Sequence, residues 1–287
     1  MIVARTVEEL AVRPRTVAIG SFDGVHRGHR HILETARAVG PTTVVTFWPH
    51  PRLVLGNRVE LLSTLERRLE LLEAAEVEEV LVVGFTPEVA ALTAEQFADD
   101  VLRRIGTTVV VVGEDFRFGR GAAGDSALLR RLGFEVRAAS LLEGVSSTRI
   151  RTLLREGDVV GAAGLLGRPP ELDGTVVLGD QRGGTLGYPT ANLATAAELL
   201  VPAYGIYAGA ALGHRAAISI GVNPHYGGDE RRIEPHLLDF EGDLYGRRLV
   251  VELWARLRDE RAFASEADLV AQIARDVEAT RAADRPG

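Results

Sequence analysis

Two histidines three residues apart, His26 and His29, lie in the stretch Gly20-Ser21-Phe22-Asp23-Gly24-Val25-His26-Arg27-Gly28-His29, which follows a β-branched run and opens a helical pattern. Its glycines let the backbone come close to a ligand, and a helix start offers N–H groups with no partner inside the helix, so phosphate is the ligand such a turn suits. The spacing puts both imidazoles on one side of the first helical turn, where two donors can meet one triphosphate. A lone histidine here reads as an ordinary surface residue. The pattern H-x-G-H after a strand, with Asp-Gly before it, carries the functional reading instead.

A second candidate lies at Val145-Ser146-Ser147-Thr148-Arg149-Ile150-Arg151, directly before another helical pattern. Ser146 by itself is a helix cap, as in any protein. Three consecutive hydroxyls, open helix N–H groups and a guanidinium one turn in also make a cradle for phosphate oxygens, and beside an H-x-G-H turn the cradle is the stronger reading. Further along, the turn Gly179-Asp180-Gln181-Arg182-Gly183-Gly184 precedes Leu186-Gly187-Tyr188-Pro189-Thr190-Ala191-Asn192. From the residues alone these are a hairpin and an unremarkable loop. In Arg232-Ile233-Glu234-Pro235-His236-Leu237, Glu234 alternates with Ile233 and is expected on the side of a strand away from the apolar face, where a glutamate most often serves solvation.

The elements that must position these residues change character along the chain. Up to about residue 166, β-branched runs alternate with helical patterns, the βαβ signature of a parallel sheet, and Val109 to Val112 lack the polar alternation of a half-exposed strand. Ligands of such open sheets bind beyond the carboxyl ends of the strands. A single helical stretch from Ser147 to about Leu166 closes this half. Beyond Gly167-Arg168-Pro169-Pro170 come strands joined by glycine-rich turns, which a compact β-barrel would relieve of open edges, and SEADLVAQIARDVEAT is an amphipathic helix to pack on it. The expected fold class is α/β, a Rossmann-like parallel-sheet domain over residues 1–167 followed by a small β-barrel domain with a C-terminal helix over 168–287.

Composition narrows the chemistry. A chain of 287 residues with 46% hydrophobic content suits two packed domains. Without cysteine there is no disulfide frame, thiolate nucleophile or thiolate metal site, which leaves histidines, carboxylates, hydroxyls, basic residues and bound ions. The net charge of −7 argues against nucleic acid as a partner. No apolar run approaches the ~20 residues that span a bilayer, and the acidic start MIVARTVEEL is unlike a signal peptide, so a cytoplasmic enzyme without membrane association is expected. Self-association is not readable from the sequence.

These residues resemble the H-x-G-H and I-S-S-T-x-x-R signatures of the nucleotidyltransferase superfamily. The fuller strings resemble one branch of it, the bifunctional riboflavin kinase/FAD synthetases of prokaryotes: TFWPHP from Thr46 to Pro51, GEDFRFG from Gly113 to Gly119, the P-T-A-N at Pro189 to Asn192, Asn223-Pro224-His225-Tyr226, and E-x-H-L-L-D-F from Glu234. The resemblance covers essentially the whole chain. It implies that ATP for adenylyl transfer is bound by Gly20, Phe22, Asp23, Gly24, His26, His29, Asp115, Ser147, Thr148 and Arg151, with His26, His29 and Arg151 in catalytic roles and Phe116 nearby. Arg149 falls at a variable position of that motif. For the kinase it implies ATP binding by Gly179, Arg182, Gly187, Thr190 and Asn192, with the oxygens of Thr190 and Asn192 on the Mg2+ that accompanies ATP, and Glu234 as the base for a hydroxyl nucleophile.

The implied partners are ATP, riboflavin and FMN. Adenylyl transfer needs no base, because the attacking phosphate of FMN is ionised at neutral pH, and positioning with charge neutralisation carries the step. Two departures from the family stand out. The segment between Asp125 and Val145 is short, and Gly183-Gly184 stands where many relatives read Gly-Arg, so that Arg182 is the expected substitute for the missing phosphate contact. Two other readings fit the sequence less well. A single-activity adenylyltransferase with a binding-only barrel has no use for Glu234, Thr190 and Asn192 together, and a flavin sensor would need a partner or nucleic-acid module that the sequence lacks.

Overall fold

The computed structural model describes residues 1–179, 187–222 and 231–287. They form two compact units, Met1–Val59 with Leu65–Val145, and Glu60–Thr64 with Ser146–Gly287.

The first unit is built on six parallel strands, β1 Ile2–Ala4, β2 Arg15–Ile19, β3 Thr42–Trp48, β4 Glu79–Gly84, β5 Thr107–Gly113 and β6 Glu135–Ala139, in the order β1-β4-β3-β2-β5-β6. The helices are α1 Arg27–Arg37, the short α2 Pro51–Val54, α3 Leu65–Ala74, α4 Pro87–Ala91, α5 Ala94–Phe97 and α6 Ser126–Arg131. Valine-rich strands without alternation are explained by burial on both faces. Val17, Ile19, Val45, Val110 and Val112 pack into one apolar cluster, while the intervening Ala18, Val44, Val109 and Val111 pack into another. Two features depart from the sequence expectation. Ile2–Ala4 adds an edge strand paired with β4, and α5 runs on into a π-helical turn, Ala98–Arg103.

The amino ends of the central strands are cross-linked by buried charge. Glu79 at the start of β4 accepts from Arg15 Nε at 2.9 Å, from Thr43 Oγ1 at 2.8 Å and from Arg13 Nη2 at 3.0 Å. Arg15, almost fully buried, also donates to the carbonyls of Ala11 and Ile105. This ties β2, β3 and β4 at the end away from the predicted ligand loops.

The second unit begins with α7 Ser147–Glu156 and α8 Val159–Leu166. The single helical stretch expected here is broken in two, because Gly157 adopts a left-handed conformation at φ 81 and Asp158 caps the next helix through Gly161 N–H at 2.8 Å. Then follow β7 Glu171–Val177, β8 Asn192–Thr195, β9 Gly205–Ala211, β10 His214–Val222, β11 Arg231–Leu237 and β12 Arg248–Arg258, antiparallel in the order β11-β10-β9-β12-β7-β8. Three consecutive strands, β9 to β11, with β12 returning beside the first, make a Greek key. Ala191 N–H donates to Pro235 O at 2.9 Å, bringing the edge strands β8 and β11 together into a nearly closed barrel. Pro235, which has no N–H to give, sits on such an edge.

The C-terminal α9, Glu266–Ala282, docks through Asp276 against Arg258 at 2.7 Å, and Arg215 donates to Thr280 O at 3.0 Å. Residues Glu60–Thr64 join this unit, with Leu61 bridged to Leu199 and Thr64 bonded to Asp173. Among the described residues no helix is long and apolar enough to cross a membrane.

The Arg15–Glu79 cluster yields a stability prediction. Burial on its own would raise the Glu79 carboxyl, but hydrogen bonds from Arg15, Thr43 and Arg13 outweigh it and hold the group at about 2. A depressed folded-state value contributes stability that is complete above the ordinary glutamate range and is lost as pH falls toward that of the folded carboxyl, about 2 kcal/mol once solvent screening is allowed for. Glu79→Gln is therefore expected to destabilise the protein in urea at neutral pH, with the deficit shrinking as pH is lowered below the ordinary glutamate range. A deficit that stays constant with pH would contradict this account.

Candidate functional site

Strand order decides where the first site lies. From β2 the chain moves to β3 and β4 on one side, then returns to place β5 on the other, so the sheet reverses direction between β2 and β5. Loops leaving the carboxyl ends of such neighbours diverge and open a crevice. The His26/His29 turn follows β2, and Asp115, which is exposed, sits in the turn after β5 closed by Phe116 N–H to Gly113 O at 3.1 Å.

The turn itself is strained and pinned. Phe22, Gly24 and Val25 all have positive φ, at 49, 81 and 38, a conformation that non-glycine residues adopt only where their surroundings impose it. Thr46 on β3 donates to Ser21 O at 3.1 Å, and Gly20 N–H donates to Val45 O at 3.1 Å. Phe22, fully buried, holds its ring 5.1 Å from that of His29.

His26 is not the first residue of α1 but its cap. Its Nδ1 accepts from His29 N–H at 3.2 Å, and the two rings stack with centroids 3.6 Å apart. Because Nδ1 accepts, the ring proton of neutral His26 sits on Nε2, which is then a donor. A Cβ at Gly28 would press on the His26 ring at 3.2 Å, which accounts for the glycine between the histidines. Burial, followed by the charges of His26 and Arg68, lowers His29 well below the ordinary histidine value, so it is neutral at physiological pH. Asp23 is buried, with Oδ1 3.5 Å from Nη2 of Arg68 on α3.

Arg68 escaped the sequence reading, although it occupies an apolar-stripe position between Leu65 and Leu72, where a charged residue is itself a signal. Trp48, within the TFWPHP string, covers it with its ring centroid 5.6 Å from the guanidinium carbon, and His50 of the same string caps α2 through Arg52 N–H at 3.2 Å.

Ser147, Thr148 and Arg151 belong to the second compact unit. The capping role falls to Ser146, whose Oγ accepts from Arg149 N–H at 3.1 Å, which leaves Ser147 and Thr148 in the first turn of α7. Arg151 is buried and donates from Nε to Glu60 O at 2.6 Å, while Arg155 pairs with the Glu60 carboxylate at 2.6 Å.

In the barrel, Thr190 leads into β8 and Asn192 is its first residue, paired with Val177 of β7. The loop is fastened to β11 twice, by Ala191 N–H on Pro235 O and by His236 Nδ1 on Pro189 O at 2.7 Å, and the rings of Tyr188 and His236 meet edge to face. Along β11, Ile233, Pro235 and Leu237 are buried while Arg232, Glu234 and His236 share the half-exposed face. The strap thus brings Thr190 and Asn192 to the strand that carries Glu234. Gly179 lies against Asn192 so closely that a Cβ there would overlap its carboxamide, and Gly187 has φ +82. Arg182, the Gly183-Gly184 departure and Asn223 to Tyr226 lie outside the described residues.

Comparisons with known proteins agree with both halves. The FAD synthetase family model matches residues 9–150, and the Riboflavin kinase model matches residues 166–283. The bifunctional riboflavin kinase/FMN adenylyltransferase of Escherichia coli (strain K12) is 38% identical, over 95% of this chain and 94% of its own length. The protein of that name from Bacillus subtilis (strain 168) is 33% identical, over 91% and 89%. A crystal structure from Streptococcus pneumoniae that bears the name macrolide-efflux protein superposes with a TM-score of 0.86 at 32% identity, covering 98% of each chain. Sequence, fold and near-complete coverage together show that the chain belongs to the bifunctional riboflavin kinase/FMN adenylyltransferase family.

Proposed function

We infer that the chain makes flavin cofactors in two ATP-dependent steps, phosphorylating riboflavin to FMN on the barrel and adenylylating FMN to FAD, with release of pyrophosphate, at the carboxyl edge of the parallel sheet. The observation that carries this reading is the stacked His26–His29 pair at the β2/β5 switch point, in a chain whose other half matches riboflavin kinase.

For adenylyl transfer, an oxygen of the FMN phosphate attacks the α-phosphorus of ATP, and the bond to the pyrophosphate oxygen breaks. No proton needs to be removed from the nucleophile. The protein's task is to hold the triphosphate and neutralise charge that shifts onto the leaving group. His26 Nε2–H and the neutral His29 are read as donors at the helix start, where open N–H groups add to the field. By their match to the family's motifs, Gly20, Gly24 and Asp115, and on their own element Ser147, Thr148 and Arg151, are read as ATP-binding residues of adenylyl transfer.

For the kinase step, Glu234 accepts the proton of the riboflavin hydroxyl as its oxygen bonds to the γ-phosphorus and ADP departs. Thr190 and Asn192 supply a hydroxyl and a carboxamide oxygen, ligands of the kind Mg2+ takes alongside phosphate oxygens and water, and the carboxamide is held against Gly179. When bound with ATP, Mg2+ supplies charge neutralisation for the phosphates. The functional division is proposed at 1–167 and 168–287. The protein is assigned to the cytoplasm, where ATP is available.

Separate sites imply separable losses. With riboflavin, ATP and Mg2+, His29→Ala is expected to stop at FMN, its FAD formation falling on the order of 100-fold. Glu234→Gln should lose riboflavin phosphorylation by on the order of 100-fold yet convert supplied FMN to FAD normally. Chromatographic separation of the flavins reads both, and loss of both activities in either variant would argue against independent sites. Gly179→Ala displaces the Asn192 carboxamide and should weaken the kinase about tenfold, with a raised Mg2+ requirement, while FAD formation from FMN is unchanged.

A further inference from the structure

Arg68 has none of its surface exposed, and none of its three guanidinium nitrogens has a hydrogen-bond acceptor. A buried cation in that state is destabilising and persists only where something else requires it. Packing does not require it, since leucine or methionine would fill the same stripe position on α3. A plain structural ion pair does not describe it either. Such pairs close to about 2.8 Å and engage the guanidinium fork with both carboxylate oxygens, whereas Asp23 approaches one nitrogen at 3.5 Å.

What the guanidinium faces is the phosphate turn. Asp23 lies in the Phe22–Val25 turn, and Trp48, stacked over the guanidinium, ends the strand whose Thr46 pins Ser21. His29 Nδ1 is likewise sealed without a partner, and Arg68 is one of the charges that acts on it. The others are few. His26 stacks on it, and β2, β3 and β5 behind α1 carry no charged residue except Arg15, which is committed to Glu79 at the opposite end of the sheet. On β6, Glu135 and Arg137 pair with each other at 2.9 Å, at the surface.

We propose that Arg68 is a positioning residue for adenylyl transfer, a fixed buried cation that locks Asp23 beneath the strained turn and adds positive charge behind the His29 ring. It touches no reacting atom and acts through those two side chains. A positive charge sealed behind the turn holds Asp23, and with it the backbone that receives phosphate, without the rearrangement that a solvated lysine would need on binding. The same charge disfavours a second positive charge on His29, which stays a neutral ring as the triphosphate arrives. The proposal rests on the placement of adenylyl transfer at the His26/His29 turn.

Two measurements on the full chain test it. The His29 imidazole, followed by NMR against pH, should titrate well below the ordinary histidine midpoint in the wild type and shift upward in Arg68→Met, while burial still holds it below that midpoint. FMN adenylylation by Arg68→Met should fall at least about tenfold in kcat, with most of the loss recovered in Arg68→Lys, while riboflavin phosphorylation by the same molecules reports intact folding. Wild-type adenylylation in Arg68→Met overturns the proposal, and so does a loss of activity with an unmoved His29 titration, which would mark a structural role alone. Should Arg68→Met fail to fold, Arg68→Lys and the wild-type titration decide, since a wild-type His29 titrating at the ordinary midpoint overturns the proposal without any variant. His29→Ala separates the levels. If it retains full FAD formation, the site placement itself fails; if it is inactive while Arg68→Met is active, only the role of Arg68 fails.

Discussion

The reversal of strand order beside β2 is the constraint on which the adenylyl half depends. Parallel strands cannot be joined by tight turns, so each needs a crossover, and crossovers of one hand place successive strands on one side until the chain returns to the other. The return from β4 to β5 leaves β2 with a loop departing one way and β5 with a loop departing the other. The crevice between them has to exist once the sheet is built, whatever side chains line it. The Arg15–Glu79 cluster closes the opposite end of the sheet, where a ligand has no place.

Beside that crevice, several groups are held in unfavourable states. Phe22 and Val25 occupy backbone regions that cost free energy, His29 keeps a sealed nitrogen without a partner, and Arg68 is charged in an apolar interior. The valine-rich sheet and its two apolar clusters supply the stability that tolerates these costs. A turn that is to receive a triphosphate without reorganising, as proposed for this one, cannot also be relaxed in its absence.

The barrel half solves a similar problem with alternation instead of strain. On β11 the period of two sends Ile233, Pro235 and Leu237 inward and leaves Glu234 and His236 on the other face. Closure of the barrel then matters as much as pattern. The bonds from Ala191 and His236 to and from the edge strands draw the Thr190–Asn192 loop onto β11, so that one set of contacts both seals an edge and brings these residues to the strand of Glu234.

The sequence by itself determined the two architectures and most of the candidate chemistry, because these are written in local and periodic signals: βαβ alternation, strand runs after Pro169-Pro170, H-x-G-H behind a strand, Glu234 out of phase with its apolar neighbours. It did not show the break at Gly157, where one residue in a left-handed conformation divides what periodicity reads as a single helix, nor the edge strand Ile2–Ala4, which is too short to carry a pattern. Only the tertiary structure decided that His26 caps α1 instead of entering it, that Ser146 takes the cap and leaves Ser147 and Thr148 in the turn beyond, and that Arg68, 45 positions after Asp23 in the chain, stands behind the Phe22–Val25 turn. The physical reason is the same in each case. Periodicity records which face of an element is buried, whereas the partner that a buried polar group meets is fixed by packing between elements distant in the chain.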